Sequence, residues 1–457
     1  MNDTAALGTE SIKKLFWKMT IPAVTAQVIS LLYNIVDRIY IGHMEGIGAA
    51  ALTGVGLLMP ITTLIHSFAM LIASGGSPLL SIELGKDNKE RAEQILGTCT
   101  AALIGLSVIL SALLFFTAPP LLRFFGASDI TFPYANAYSG IYILGIPFMM
   151  ITVGLNLFIS GQGFSKISML TTIIGAVLNI ILDPILIFWF DMGIEGAAIA
   201  TVFSQAVSAF WILSFLCGKK ATVRIRKKHL KICGEILISC IALGVSAFVM
   251  FSTESLLSIV FTRSLASYGG DIAVGSMTII SSVSTVLHYP VSGFTQGCNP
   301  IISYNFGYGR SDRIRQTFSI LLKTCVIYTA VIWLTILILP RTVAGFFTTD
   351  KAMISYCAGV MRIYFAVAIT NAFQTACQQS FIALGQAKTA LFMACLRKLI
   401  LLIPLILIFP RVFPGDPVFL VFLAEPVSDL LAALVCAITF FRRLDGILEK
   451  GPNQTTV

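Results

Sequence analysis

The residues best placed to do chemistry lie in the stretch Gly175-Ala-Val-Leu-Asn179-Ile-Ile-Leu-Asp183-Pro184-Ile-Leu-Ile-Phe188. Asn179 and Asp183 are four apart, so on a helix they share one face. Pro184 follows at once, cannot donate a backbone hydrogen bond and loosens the carbonyl of Ile180 one turn back. A carboxylate, an amide and a freed carbonyl together form an oxygen-rich nest suited to a proton or a small hard cation. This nest lies in an apolar run from about Ile167 to Phe190, long enough to cross a bilayer. An Asp at membrane depth costs about 2.5–3.5 kcal/mol on insertion scales, so it marks a functional site by default. The plainer reading is a packing kink whose polar groups satisfy one another, but an amide and a Pro would kink a helix without a carboxylate.

A second carboxylate stands on the first apolar segment, which reads Ile21-Pro22-Ala-Val-Thr-Ala-Gln27-Val-Ile-Ser-Leu-Leu-Tyr33-Asn34-Ile-Val-Asp37-Arg38. Pro22 predicts a hinge near one end, with Asp37 toward the other and Asn34 and Gln27 on the turns between. If Asp37 and Asp183 face one cavity, mutual repulsion lets the pair hold a proton. Alternatively, Na⁺ bridges them with oxygens from Asn179 and a hydroxyl. Pairing of Asp37 with adjacent Arg38 competes, but helix neighbours point about 100° apart. Further polar residues at membrane depth are Tyr138, Tyr142 and Asn156 on the fourth segment and Thr201 and Gln205 on the sixth. The sixth opens Gly193-Ile-Glu-Gly196-Ala-Ala-Ile-Ala-Thr201, a small-residue face that admits another helix closely.

The elements that must hold these residues are membrane helices. The sequence is 56% hydrophobic and only 12% charged, and its mean hydropathy is +0.89, which excludes a soluble globular class. Twelve apolar runs are long enough to span: 15–41, 50–80, 93–118, 133–159, 167–190, 194–217, 232–262, 272–304, 315–340, 353–383, 389–411 and 417–441. The fold class expected is an all-α polytopic membrane protein. The first run is too long for a signal-peptide core, so no cleaved leader is expected. Of 31 Lys and Arg, 24 fall on the side of the termini when both are placed inside, Arg397 and Lys398 among them. By the positive-inside rule both termini are cytoplasmic, and the net charge of +9 is a topology signal, with no nucleic-acid partner implied. Ten scattered cysteines without a C-x-x-C pair read as small buried hydrophobes.

The chain also repeats itself. Gly161-Gln162 matches Gly385-Gln386, Gly85-Lys86 matches Gly309-Arg310, Gly46 matches Gly270 and Ser204 matches Ser428, all at one offset of 224 residues. This divides the chain into a lobe of six helices over 1–217, a basic linker 218–231, a second lobe over 232–443 and a tail 444–457. Because six is even, the lobes are parallel repeats, which place a substrate path between them. The second lobe has Phe261 and Phe409 where the first has Asp37 and Asp183, so that carboxylate pair is not repeated. Its own candidate cavity residues are Glu254, Tyr289, Gln296, Asn371, Gln374, Gln378, Glu425 and Asp429. Gln, Tyr, Phe and Met beside a few carboxylates suit large apolar cations. No phosphate-binding loop or nucleophile elbow is present. Neither an enzyme nor a primary pump is indicated, and energy must come from an ion gradient.

Taken together, Pro22 and Asp37 on helix 1, Gly-Lys-Asp after helix 2, Gly161-Gln162 after helix 4, Asn179-x-x-x-Asp183-Pro184 on helix 5 and Gly-x-x-Gly-Ala-Ala-x-Ala-Thr201 on helix 6 resemble the multidrug and toxic compound extrusion (MATE) transporters of bacteria. The likeness runs from about Ser11 to Arg443. It implies two six-helix lobes in a V, in the bacterial cytoplasmic membrane, exporting organic cations in exchange for H⁺ or Na⁺, without a cofactor or obligate protein partner. Carried over by position, the cation site is Asp37, Asn179, Asp183 and Thr201, with Tyr138 nearby and Pro22 and Pro184 as hinges. Some members also use an acid on helix 7, for which Glu254 is the nearest match. The competing readings are a lipid-linked oligosaccharide flippase of related fold, which would need a cationic cavity, and a non-transporting receptor. For the flippase only Arg38 and Arg362 offer themselves as cavity cations.

Overall fold

A computed structural model describes residues 3–44, 47–347 and 350–451. Gly46 of the proposed repeat and residues 452–457 of the tail lie outside the described residues. A short helix α1 (Asp3–Thr9) precedes α2 (Ile12–Gly42), α3 (Gly48–Gly85), α4 (Lys89–Phe124), α5 (Phe132–Gly161), α6 (Ser165–Pro184) and α7 (Gly193–Cys217). The second lobe holds α8 (Gly234–Gly270), α9 (Ile272–Gly307), α10 (Ser311–Ile338), the short α11 (Pro340–Gly345), α12 (Lys351–Tyr364) and α13 (Thr370–Ala383). It closes with α14 (Ala387–Val412) and α15 (Pro417–Lys450). Among the described residues there is no strand, and eleven helices are long and apolar enough to cross a membrane. The twelfth span is α12 and α13 taken together.

That twelfth span departs from the continuous helix expected over 353–383. It breaks at Phe365–Ile369, where the backbone turns through i→i+3 bonds such as Ala368 N to Phe365 O at 3.1 Å. No Pro or Gly lies there. Instead the indole of Trp333 donates to the Phe365 carbonyl at 2.7 Å, supplying a donor that an unbroken helix would draw from its own backbone.

The loops that end α5 and α13 close alike, through Phe164 N to Ile159 O and Gln386 N to Phe381 O. Both carry a left-handed glycine, Gly163 at φ 96° and Gly385 at φ 71°. These equivalents are 222 residues apart, as are left-handed Asp87 and Gly309. By conformation Gly385 therefore matches Gly163, and the expected pairing with Gly161 is out of register by two.

The lobes meet with backbone against backbone in the half of the molecule nearest the termini. A Cβ added to Gly75 would stand 1.9 Å from Cys240 O, one on Gly244 1.7 Å from Leu71 O, and one on Gly307 1.9 Å from Ile82 O. On α9, Gly293 and Gly297 approach the Cα atoms of Val24 and Thr20 in the same way, each at 2.6 Å. Only glycine permits such approach. The result is the expected V of two six-helix lobes, closed at the terminal end.

Helix α1 straps that closed end. Thr4 Oγ1 donates to Gln162 O of the first lobe at 2.6 Å. Arg313 of the second lobe is buried and donates to Leu7 O at 3.0 Å, Glu10 O at 2.8 Å and Asn305 Oδ1 at 2.8 Å. Gln162 also receives the linker through Val223 N at 2.8 Å, and Arg226 pairs with buried Glu93 at 2.8 Å. The Gly161-Gln162 motif thus pins the terminus and the linker to the first lobe. Seven cysteines are fully buried, while Cys217 and Cys233, flanking the linker, are exposed.

The Sγ atoms of Cys99 on α4 and Cys240 on α8 are 3.6 Å apart across the lobe interface. Copper–phenanthroline oxidation should therefore cross-link them efficiently, since bond formation needs only a short approach. Gly244→Ala must separate α3 from α8, and the cross-link yield read by mass spectrometry should fall sharply. An unchanged yield would rule out the backbone contact.

Candidate cation site in the first lobe

Asp37, near the far end of α2, and Asp183, at the end of α6, lie within hydrogen-bonding reach of each other. Asp183 is completely buried, Asn179 is nearly so, and Asp37 is half-buried. Asn179 Nδ2 donates to Asp183 Oδ1 at 3.1 Å and to Thr201 Oγ1 at 3.4 Å. The four-residue spacing delivers the first of these bonds. The second depends on α7, which closes on the turn that follows α6 because Gly196 has no Cβ: one built there would stand 2.8 Å from the Leu186 carbonyl. Pro184 ends the α-helical hydrogen bonding, and a π-helical turn over Ile185–Trp189 follows.

Three oxygens in this nest have no hydrogen-bond partner: Asp37 Oδ1, Asn179 Oδ1 and Asp183 Oδ2. Buried polar atoms are normally paired, and buried carboxylates even more so. Unpaired oxygens from two carboxylates and an amide, with the Thr201 hydroxyl beside them, make a donor set for a proton or for Na⁺. Tyr138 is buried within reach of Thr201 and faces Asp37. It stacks on Tyr142 at 6.0 Å between centroids, and Tyr142 in turn reaches Gln205.

The remaining polar candidates of the first lobe lie elsewhere. Asn34 is exposed and bonded to its own helix at Ser30 O. Gln27 Nε2 crosses the lobe interface to Gln296 Oε1 at 3.0 Å, and Asn156 Nδ2 donates to Ser168 O at 3.2 Å. Gln27, Asn156 and Gln296 line a small pocket with Ser30, Ser160 and Ser168. Tyr289 faces Tyr33 and Arg38 of the first lobe, so it belongs to the interface more than to a cavity of its own lobe. Tyr33 stands beside Asp37 and Asn34 as well, and nothing in its sequence position distinguishes it from the other residues of that helix.

The second lobe requires a correction. Arg397 and Lys398, counted with the terminal-side loop charges, stand inside α14 and are largely buried. Arg397 pairs with Asp429 at 2.6 Å and Glu425 at 3.0 Å, and Lys398 pairs with Glu254. The lobe's own cations thus balance two of these three carboxylates, and Arg38 and Arg362 are not the only cations at membrane depth. Asn371 accepts from Thr375 at 3.0 Å, Gln378 reaches the Met250 sulfur, and Gln374 Oε1 has no hydrogen-bond partner.

Comparison with known proteins agrees with this architecture. The MatE family model matches residues 22–185 and 246–408, two segments whose starts are 224 apart. The chain is 24% identical over 426 residues to "Multidrug export protein MepA" of Staphylococcus saprophyticus, covering 93% of both chains. It is 25% identical over 425 residues to the protein of that name from Staphylococcus aureus (strain MRSA252), covering 92% of this chain and 93% of the relative. Among solved structures, "Crystal structure of MATE in the bent conformation" superposes with a TM-score of 0.91 at 21% identity, over 98% of this chain and 99% of that one. An "outward-facing conformation of a multidrug resistance MATE family transporter" gives 0.89 at 20% identity, over 97% and 98%.

If Asn179 holds the nest together, Asn179→Ala should cost about 1.5–3 kcal/mol, the worth of a hydrogen bond to a charged group, read as a lower melting temperature in detergent. Asn34→Ala, at an exposed position, should leave the melting temperature in place. Equal shifts for both would count against the bridging role. With two MatE segments repeated across a V of twelve helices, the chain belongs to the MATE family of membrane transporters.

Proposed function

We propose that this protein is a secondary active efflux antiporter, exporting organic cations in exchange for H⁺ or Na⁺ by alternating access. The observation that carries the reading is the nest of unpaired oxygens between Asp37 and Asp183. Two like charges about 4 Å apart at an effective dielectric of about 20 repel by about 4 kcal/mol. A proton or Na⁺ relieves that repulsion and ties α2 to α6, and its loss drives them apart. Such an energy is ample to bias two arrangements of a transporter.

Helix α2 carries the difference to the other lobe. Its Asp37 end belongs to the ion site, while Thr20, Val24 and Gln27 lie against α9. Pro22 sits among these contacts and serves as the hinge, with Pro184 as its counterpart on α6. Ion binding at one end of α2 therefore alters the closed end of the V, and the cargo leaves through the other. The MepA relatives are described as multidrug export proteins, which supports a range of small amphipathic cargoes. The excess of Lys and Arg on the terminal side supports cytoplasmic termini in a bacterial cytoplasmic membrane. Against the flippase, the intramembrane cations Arg397 and Lys398 are matched by carboxylates.

The test is accumulation of a cationic dye in inverted membrane vesicles, with pH and sodium gradients imposed separately. Wild type should respond to one gradient, and Asp183→Asn should lose the response by on the order of tenfold or more, the scale of a coupling energy of 1–3 kcal/mol. Undiminished gradient-driven transport in Asp183→Asn would remove the nest from the mechanism.

A further inference from the structure

Two nucleophilic side chains that ion exchange does not use meet between the lobes. Cys99 of α4 and Cys240 of α8 are both fully buried, with Sγ atoms 3.6 Å apart. Helix α3 seals them in. A Cβ on Gly76 would stand 2.8 Å from Cys99 Sγ, and the neighbouring Gly75 lies against the Cys240 carbonyl. A disulfide is about 2.05 Å long, so the two thiols need close only a short gap to join. Cys377 also faces Cys436, and Cys298 faces Cys325. Those pairs connect helices of a single lobe, α13 to α15 and α9 to α10. The Cys99–Cys240 pair instead crosses from lobe to lobe.

The linker is fixed to α4 just beside the pair. Thr98 Oγ1 donates to Lys231 O at 3.1 Å, a Cβ on Gly97 would stand 2.3 Å from His229 O, and Arg226 pairs with Glu93 at 2.8 Å. From that anchor the chain passes through exposed Ile232, Cys233 and Gly234 into α8. The start of α8 is therefore tied to the first lobe at one place, about which the second lobe can swing.

Cys240 lies further along the same helix, about 9 Å from Gly234 at 1.5 Å per residue. A covalent bond there adds a second attachment. A body held at one point pivots freely, whereas one held at two turns only about the line between them. The backbone contacts of Gly75 with Cys240 and of Gly244 with Leu71 border that bond, so α3 and α8 could no longer part.

We propose that Cys99 and Cys240 form a regulatory disulfide that holds the terminal end of the V shut and stops the transport cycle. The proposal rests on the alternating-access reading, in which that end must open. The co-reactant is a low-molecular-weight disulfide on the side of the termini. One protein thiol, uncovered as the lobes part, loses its proton and attacks a sulfur of that disulfide, forming a mixed disulfide and releasing one small thiol. As the lobes close, the second protein thiol loses its proton and attacks the protein sulfur of the mixed disulfide, releasing the other small thiol. Two protein thiols are oxidised and one small disulfide is reduced to two thiols. Excess small thiol reverses both steps, in keeping with the transient, redox-sensing disulfides of reducing compartments. The bond halts ion-driven exchange while the thiol pool is oxidised, and closes the carrier to its coupling ion.

The experiment uses the full-length chain in inverted vesicles, treated with oxidised glutathione during turnover. Disulfides are mapped by mass spectrometry, and dye accumulation is read before and after dithiothreitol. Wild type should form the Cys99–Cys240 bond and lose transport on the order of tenfold or more, since only chains with a reduced pair can open. Dithiothreitol should restore the rate. Cys240→Ala and Cys99→Ala should each keep their own rate in oxidised glutathione, although exposed Cys217 and Cys233 are there to be modified as in wild type. Full transport with the bond present in most chains, equal inhibition of the alanine variants, or no Cys99–Cys240 bond after prolonged turnover each overturns the proposal. A reduced wild-type chain that moves no dye under either gradient counts against the exporter reading instead. The bond is then judged by amide hydrogen exchange over residues 69–76 of α3, which should slow on oxidation in wild type and not in Cys240→Ala. Unchanged exchange in oxidised wild type again overturns the proposal.

Discussion

The structure is organised around a shortage of partners for charge at membrane depth. In the first lobe Asp183 is wholly buried, has Asp37 for a neighbour and receives a single amide hydrogen from Asn179. Among the described residues no salt bridge reaches either acid, and in the proposed antiport an ion from outside supplies the countercharge. Several features of that lobe hold this arrangement. Gly196 lets α7 come close, Pro184 and the π-helical turn end α6 beside it, and the stacked tyrosines wall it off.

The second lobe meets the same difficulty differently. It carries its own cations on α14 and, among the described residues, leaves the buried Glu425 Oε2 without a hydrogen-bond partner. A duplicated fold has thus been fitted with two unlike electrostatic interiors. The glycine-mediated contact between lobes keeps both close to one cleft, and α2 touches the first interior at one end and the second lobe at the other.

Much of this could be read from residue order. Twelve spans follow from apolar length, and the Asn179–Asp183 bond from a spacing of four. The meeting of Asp37 with Asp183 follows from the expense of burying either alone. What escaped the sequence depends on partners distant along the chain. Arg397 and Lys398 look like the charged edge of a loop, because their acids are 28, 32 and 144 residues away. The repeat was visible, yet its register in two loops was not, since left-handed geometry and not residue identity marks the equivalent position. Gln27, Asn156 and Gln296 stand out as cavity candidates by polarity alone, and polarity does not tell that residues of the two lobes line one pocket together.

The break between α12 and α13 has a wider meaning. An α-helix fixes the direction of each side chain by its position in the winding, about 100° per residue. Five residues of tighter turns reset that winding, so Asn371, Gln374 and Gln378 take their bearing from where the helix restarts. The donor that holds the restart in place belongs to Trp333, on another helix. The compass direction of the whole polar face of α13 is therefore set by one indole ring from outside it.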